Sequence, residues 1–114
     1  MKKLFCVALL ALSVSACKTT EPLYHHGVYN QAVYAYFKAE DTTLEEQISM
    51  LQQTIQAAAN AGKPVAPGIH AHLGLLYFDS GNVDLGQQHF EQEKVLFPES
   101  AKYLDFLLKS RQGA

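Results

Sequence analysis

Five histidines, His25, His26, His70, His72 and His89, are the residues of this chain best suited to hold a metal. Neutral imidazole is the commonest metal ligand and suits zinc or copper. Spacing restricts the idea. His70 and His72 are two apart, which on a helix turns them about 200° from each other, so they cannot share an ion unaided. His25 and His26 are neighbours in an expected loop, and with His70 they are the set that a metal or small-ligand site would use. Nucleophilic catalysis needs a hydroxyl beside a base and an oxyanion hole. Ser80 and Ser100 read instead as turn or cap residues, and neither G-x-S-x-G nor H-E-x-x-H occurs. The carboxylate pairs Glu45–Glu46 and Glu91/Glu93 fall on helix faces expected to be solvated. These residues predict no enzyme. Tyrosines are abundant, and tyrosine recurs at interface hot spots because it joins a large apolar area to a polar tip. Tyr29, Tyr34 and Tyr36 are the candidate partner-binding residues. Tyr34, off the stripe of Tyr29, Val33 and Tyr36, is expected to be the most exposed.

A different chemistry belongs to Cys17. Lys2 and Lys3 make a positive start, Leu4 to Leu12 form a short apolar run, and Val14-Ser15-Ala16 lead into the cysteine. That order of basic, apolar and small residues is a secretory signal. The apolar run is too short for a span, which needs about 20 residues. With Cys17 after the small residues, the segment resembles the bacterial lipobox; an ordinary signal peptide with a coincidental cysteine is the alternative. The resemblance implies cleavage before Cys17, a thioether-linked diacylglycerol on it, and an acyl chain such as palmitate on the new amino terminus. Residues 1–16 are then a removed signal peptide, 17–27 a lipidated tether and 28–110 the folded domain. Each buried acyl CH₂ contributes about 0.8 kcal/mol, so two or more chains anchor stably. Lys18 stands where lipoproteins retained in the inner membrane of Gram-negative bacteria commonly have aspartate. The implied address is the outer membrane, facing the periplasm.

Composition narrows what the domain can do. Without Lys2 and Lys3 the basic residues fall to seven against eleven acidic, a formal charge of −4. A net acidic domain without a basic cluster argues against nucleic acid as partner. Cys6 leaves with the signal and Cys17 is consumed by lipid, so no disulfide, thiolate nucleophile or thiolate ligand remains. No cofactor is expected beyond the covalent lipid on Cys17, and stability must come from packing.

The elements read as helices. Val33, Tyr36 and Phe37 share a helical face within 28–40, and Tyr29 extends it a turn earlier. Strand competes on the Val and Tyr content, but Gln31, Ala32, Ala35, Lys38 and Ala39 favour helix. Thr43 and Glu46 are spaced as a capping box. Leu44, Ile48, Leu51, Ile55 and Ala58 then recur at helical spacing until Gly62 and Pro64 stop the helix. The tether has no clear period, and Tyr24 is placed to fold back onto the domain. In the last segment Tyr103, Phe106 and Leu107 share a face, with Leu104 and Leu108 beside them, as in a helix covering an otherwise open end.

The tetratricopeptide repeat reads W-x₂-L-G-x₂-Y, then A-x₃-F, then P. Here His70-x₂-Leu73-Gly74-x₂-Tyr77, Gly86-x₃-Phe90 and Pro98 keep that register, with His70 for Trp and Gly86 for Ala. Gly74 and Gly86 allow close approach of two helices. Leu73, Tyr77 and Phe90 fill the space between them, and Pro98 redirects the chain. The two departures predict packing looser than in a consensus repeat. A generic helical hairpin is the alternative. The expected fold is all-α and tetratricopeptide-like, with a degenerate helix pair over 28–61, a recognisable pair over 68–97 and a cap helix.

The chain resembles a family of short bacterial lipoproteins of uncharacterised function with such a domain. The lipobox, Glu21 to Gly27, Val33 to Phe37, Gly68 to Tyr77, Glu91 to Lys94 and Phe97 to Ser100 carry the likeness. Members are often encoded beside other envelope lipoproteins, one of them like the curli-secretion channel. The resemblance implies a lipid-anchored adaptor in an outer-membrane or secretion assembly, with those lipoproteins as partners. A periplasmic metal- or small-ligand-binding lipoprotein is the alternative. Labelled palmitate is expected to enter the wild-type chain and not Cys17→Ala; equal labelling of both, or none of the wild type, contradicts the lipid anchor.

Overall fold

The computed structural model describes residues 22–38 and 42–113. The signal segment, Cys17 and the first part of the tether lie outside the described residues. Among the described residues five α-helices follow in order: α1 (Tyr29–Lys38), α2 (Leu44–Asn60), α3 (Ile69–Asp79), α4 (Val83–Leu96) and α5 (Ala101–Gln112), with a 3₁₀ turn at Pro98–Ser100 before α5. Each packs against the next as an antiparallel pair, and α3 with α4 makes the most extensive of these interfaces.

Local chemistry sets the boundaries. The Thr43 hydroxyl accepts from the Glu46 amide at 3.2 Å, while the Glu46 carboxylate accepts from the Thr43 amide at 2.9 Å, closing the capping box that starts α2. At its end the Lys63 amide donates to the Ala58 carbonyl and Gly62 to Ala59. That pairing requires the left-handed backbone of Gly62, φ +63°. Asn82 caps α4 through the Leu85 amide at 3.3 Å. Pro98 opens the 3₁₀ turn and ends the run of α4.

The core lies between α2 and α3. Leu51, Ala58, Ile69, Leu73 and Leu76 are fully buried, with Ala32 of α1 against them. The repeat hairpin is fitted at its glycines. A Cβ on Gly74 would lie 2.5 Å from the Phe90 ring and 3.0 Å from the Gly86 carbonyl, and one on Gly86 would meet Phe78 at 2.8 Å. The expected looseness at the two departures is therefore absent. Phe78 fills the space over Gly86, and His70, where the repeat carries Trp, pairs with His89.

The end of the tether folds back onto the domain: Tyr24 packs edge-on against Phe97, and His25 forms an isolated parallel bridge with Val65. The His25 amide donates to the Pro64 carbonyl, and its carbonyl accepts from Ala66. The cap helix is rotated. Leu104 is its buried residue, Leu107 and Leu108 are half-buried, and Tyr103 and Phe106 face outward. Either face would gain about 2 kcal/mol per buried side chain, so burial alone does not choose between them. Ion pairs from Asp105 to Lys94 and Arg111 to Asp79 fix the rotation from both sides.

Overpacking a filled interface typically costs about 1–3 kcal/mol. Gly74→Ala should therefore lower stability by about 2 kcal/mol, roughly 10 °C in Tm for a domain of this size. Thermal unfolding checks it, and an unchanged Tm would contradict the close fit of α3 on α4.

Candidate functional site

The stripe on α1 faces α3 across a shallow apolar groove. Tyr29, Val33, Tyr36 and Phe37 form one wall, and Gly68, Ala71, His72 and Leu75 the other, around a volume of about 240 Å³. Helical spacing explains both walls: 29, 33, 36 and 37 share a face of α1, and 68, 71, 72 and 75 share a face of α3. Phe37 is 79% exposed and Tyr34, on the neighbouring face of α1, is 65% exposed. Lys38 lies over the Tyr34 ring, 5.8 Å from its centroid. Of the three tyrosines expected to bind a partner, Tyr29 and Tyr36 line the groove and Tyr34 stands beside it.

His72 forms the groove floor. It is 8% exposed, and the rings of Tyr36 and Tyr29 meet it edge-on at 4.9 and 6.1 Å. Burial lowers its pKa, so the ring is neutral at ordinary pH. Its Nε2 has no hydrogen-bond partner among the described residues.

Both ends of the groove are held by charge. At one end Asp79 lies near Tyr36, whose pKa rises through burial first and the Asp79 charge second, with Arg111 opposing. Arg111 pairs with Asp79 at 3.1 Å and stacks over Phe78 at 5.3 Å. At the other end lies Glu93 of α4. Its carboxylate accepts from the Gly68 amide at 2.6 Å and the Ala71 amide at 3.2 Å. Sequence spacing placed Glu93 on a solvated face; the structure buries it to 2% exposure. The reason is the start of α3. Gly68 has no side chain to cap the helix, so its first amides need an acceptor from elsewhere. A carboxylate is favoured there by the helix dipole as well. Burial, then the charge of Glu93, raises the Tyr29 pKa. The remaining carboxylates behave otherwise: Glu46 closes its capping box, and Glu91 pairs with Lys94 at 2.8 Å.

The other histidines separate. His70 points from α3 to His89 on α4, with their Nδ1 atoms 3.0 Å apart. His72 faces α1, on the opposite side of α3, as the two-residue spacing requires. His25 sits beside Val65 and His26 is exposed. Among the described residues no three His, Cys, Asp or Glu side chains converge as a metal site would need, so His25, His26 and His70 are not gathered. The Ser80 and Ser100 hydroxyls donate to the carbonyls of Tyr77 and Phe97, the bonding of turn residues. His89 is one of the five candidate histidines, but its pairing with His70 is not evident from sequence spacing. Its signal lay in the one-turn interval from His89 to Glu93, which puts both on the side of α4 that meets the start of α3.

The chain belongs to the family described as a domain of unknown function, DUF4810, which matches residues 23–107. That interval holds both groove walls, Glu93 and the repeat glycines. No curated protein and no solved structure matches the chain.

Replacing one partner of a buried charge-assisted bond costs about 1–3 kcal/mol. Glu93→Gln, which keeps the shape but removes the charge and turns one acceptor into a donor, should lower the unfolding free energy by about that amount. Urea denaturation reads it directly, and wild-type stability in this variant would contradict the capping role.

Proposed function

We propose that this chain is a lipid-anchored adaptor that holds a partner protein of an outer-membrane envelope or secretion assembly in the groove between α1 and α3. The observation that carries this reading is the groove itself. Aromatic side chains of α1 surround a neutral, buried histidine of α3, with Phe37 and Tyr34 left in solvent at the rim. Large exposed aromatics around a concave apolar floor are the composition of protein-binding hot spots. Helical repeats present such concave surfaces between successive helices.

The division of labour follows from the sequence. The lipid on Cys17 supplies location and the domain supplies recognition. No helix among the described residues is long and apolar enough to cross a membrane. The resemblance drawn from the sequence names the partner class: neighbouring envelope lipoproteins, one of them like the curli-secretion channel. The groove lining is apolar and includes no Asp, Glu, Lys or Arg, so contact area rather than ion pairing would set affinity.

Affinity purification of the tagged, lipidated protein from mildly solubilised envelopes tests the proposal. A stoichiometric envelope protein should co-purify. Phe37→Asp and Tyr34→Ala change only exposed side chains, and each should reduce the recovered partner at least tenfold. Val95→Asp, on the outer face of α4, should not. Recovery of the wild-type protein alone, or equal loss in all three variants, contradicts the groove as the binding surface.

A further inference from the structure

We propose that His70 and His89 form a one-proton clamp between α3 and α4 that opens when both rings are protonated. The two Nδ1 atoms lie 3.0 Å apart, the ring centroids 5.3 Å apart, and the ring planes differ by 19°. The two separations differ only by the short distance from ring centre to nitrogen, counted once on each side. That requires both nitrogens to lie close to the line joining the ring centres. The rings therefore meet edge to edge, nearly coplanar, rather than face to face. In this arrangement the N–H of one ring points along the lone pair of the other.

Proton counting gives the consequence. A neutral imidazole has one donor and one acceptor nitrogen. One ring donates through Nδ1 and the other accepts, so a single proton sits between them. A first added proton goes to the free nitrogen of the donor ring, and the hydrogen bond survives. A second must go to the accepting Nδ1. Two N–H groups on two cationic rings would then face each other across 3.0 Å, inside an interface where His70 is buried. That state is relieved by parting the rings, through separation of α3 from α4 or a swing of the half-buried His89 toward the open face of α4.

The surroundings do not offset the charge. The Tyr77 ring lies parallel to His89, 5.4 Å between centroids, and its hydroxyl accepts from Gln52 of α2 at 2.5 Å. Glu93, one turn along α4, has its carboxylate committed to the amides of Gly68 and Ala71. Asp84 and Glu91 lie with His89 on the open face of α4. Burial lowers the pKa of His89, and burial followed by the neighbouring His89 lowers that of His70 to about 4. An unfolded histidine takes its proton near pH 6.5. Stability is therefore complete above about pH 6.5 and falls as pH drops toward 4, because the unfolded chain binds protons that the folded pair refuses. Since α3 also carries Ala71, His72 and Leu75, opening would shift one wall of the groove. That last consequence rests on the adaptor reading; the clamp does not.

Two measurements on the lipidated full chain in detergent micelles test the clamp without any partner. Long-range ¹H–¹⁵N spectra at pH 7 should show one ring of the pair protonated at Nδ1 and the other not. The two rings should not both be protonated above pH 5. Thermal unfolding at pH 7 and pH 4.5 should show a fall in Tm that is smaller in His89→Gln; the burial of His70 and His72 accounts for the residual slope. Independent titration of both rings near pH 6.5, or the same pH slope in wild type and His89→Gln, would overturn the proposal. Should the variant not fold, the wild-type spectra decide alone.

Discussion

The carboxylate of Glu93 at the start of α3 is the contact on which the rest of the structure turns. Ala66, Pro67 and Gly68 offer no hydroxyl or carboxamide to cap the helix, and Ile69 and His70 behind them are buried, so the helix start is only partly open to water. An acceptor must come from another element, and α4 supplies it. Gly68 is held there in left-handed backbone, φ +96°, with the Tyr29 hydroxyl so close above it that a Cβ would lie 2.6 Å away. One point thus joins α1, α3 and α4. It also sets the antiparallel register of the hairpin. With Glu93 on Gly68 and Ala71, the chain places His89 on His70, Phe90 on Gly74 and Phe78 on Gly86 in order along the two helices.

Much of this frame is legible in the sequence because it depends on local spacing. Thr43 and Glu46 announce the start of α2, Gly62 its end, and the interval from Leu73 to Pro98 fixes the repeat hairpin. The stripe of Tyr29, Val33, Tyr36 and Phe37 identifies one wall of the groove before the other wall is known. What the sequence hides are the contacts between residues far apart in the chain. Glu93 lies in Glu91-Gln92-Glu93-Lys94, whose composition reads as a solvated face, and nothing local says that one of its carboxylates turns inward. The missing cap at Gly68 is the complementary signal, since a helix start without a capping side chain demands an acceptor. The rotation of α5 is hidden for a related reason. Tyr103/Phe106/Leu107 and Leu104/Leu107/Leu108 are both apolar faces, and only the partners Lys94 and Asp79 on other helices select between them.

The groove and the clamp are consequences of the same register. α3 presents two faces of unlike chemistry: His72 with Ala71 and Leu75 toward α1, and His70 with Gly74 toward α4. Both histidines are kept neutral by burial, yet they differ in satisfaction. His70 has a partner ring in line with it, while His72 has aromatic edges around it and an Nε2 without a hydrogen bond among the described residues. A histidine of the second kind costs stability that a structural role alone does not repay. A bound chain that brings a polar group to the groove floor would recover it. In the adaptor account this is why a histidine rather than a leucine lies between Tyr29 and Tyr36.

The most direct test of that account is site-specific photo-crosslinking in intact envelopes. A photoreactive phenylalanine analogue at Phe37, on the groove rim, is compared with one at Val95, on the outer face of α4. The account predicts one discrete crosslinked envelope protein from position 37 and none from position 95. No adduct at position 37, or the same adducts from both positions, would contradict it.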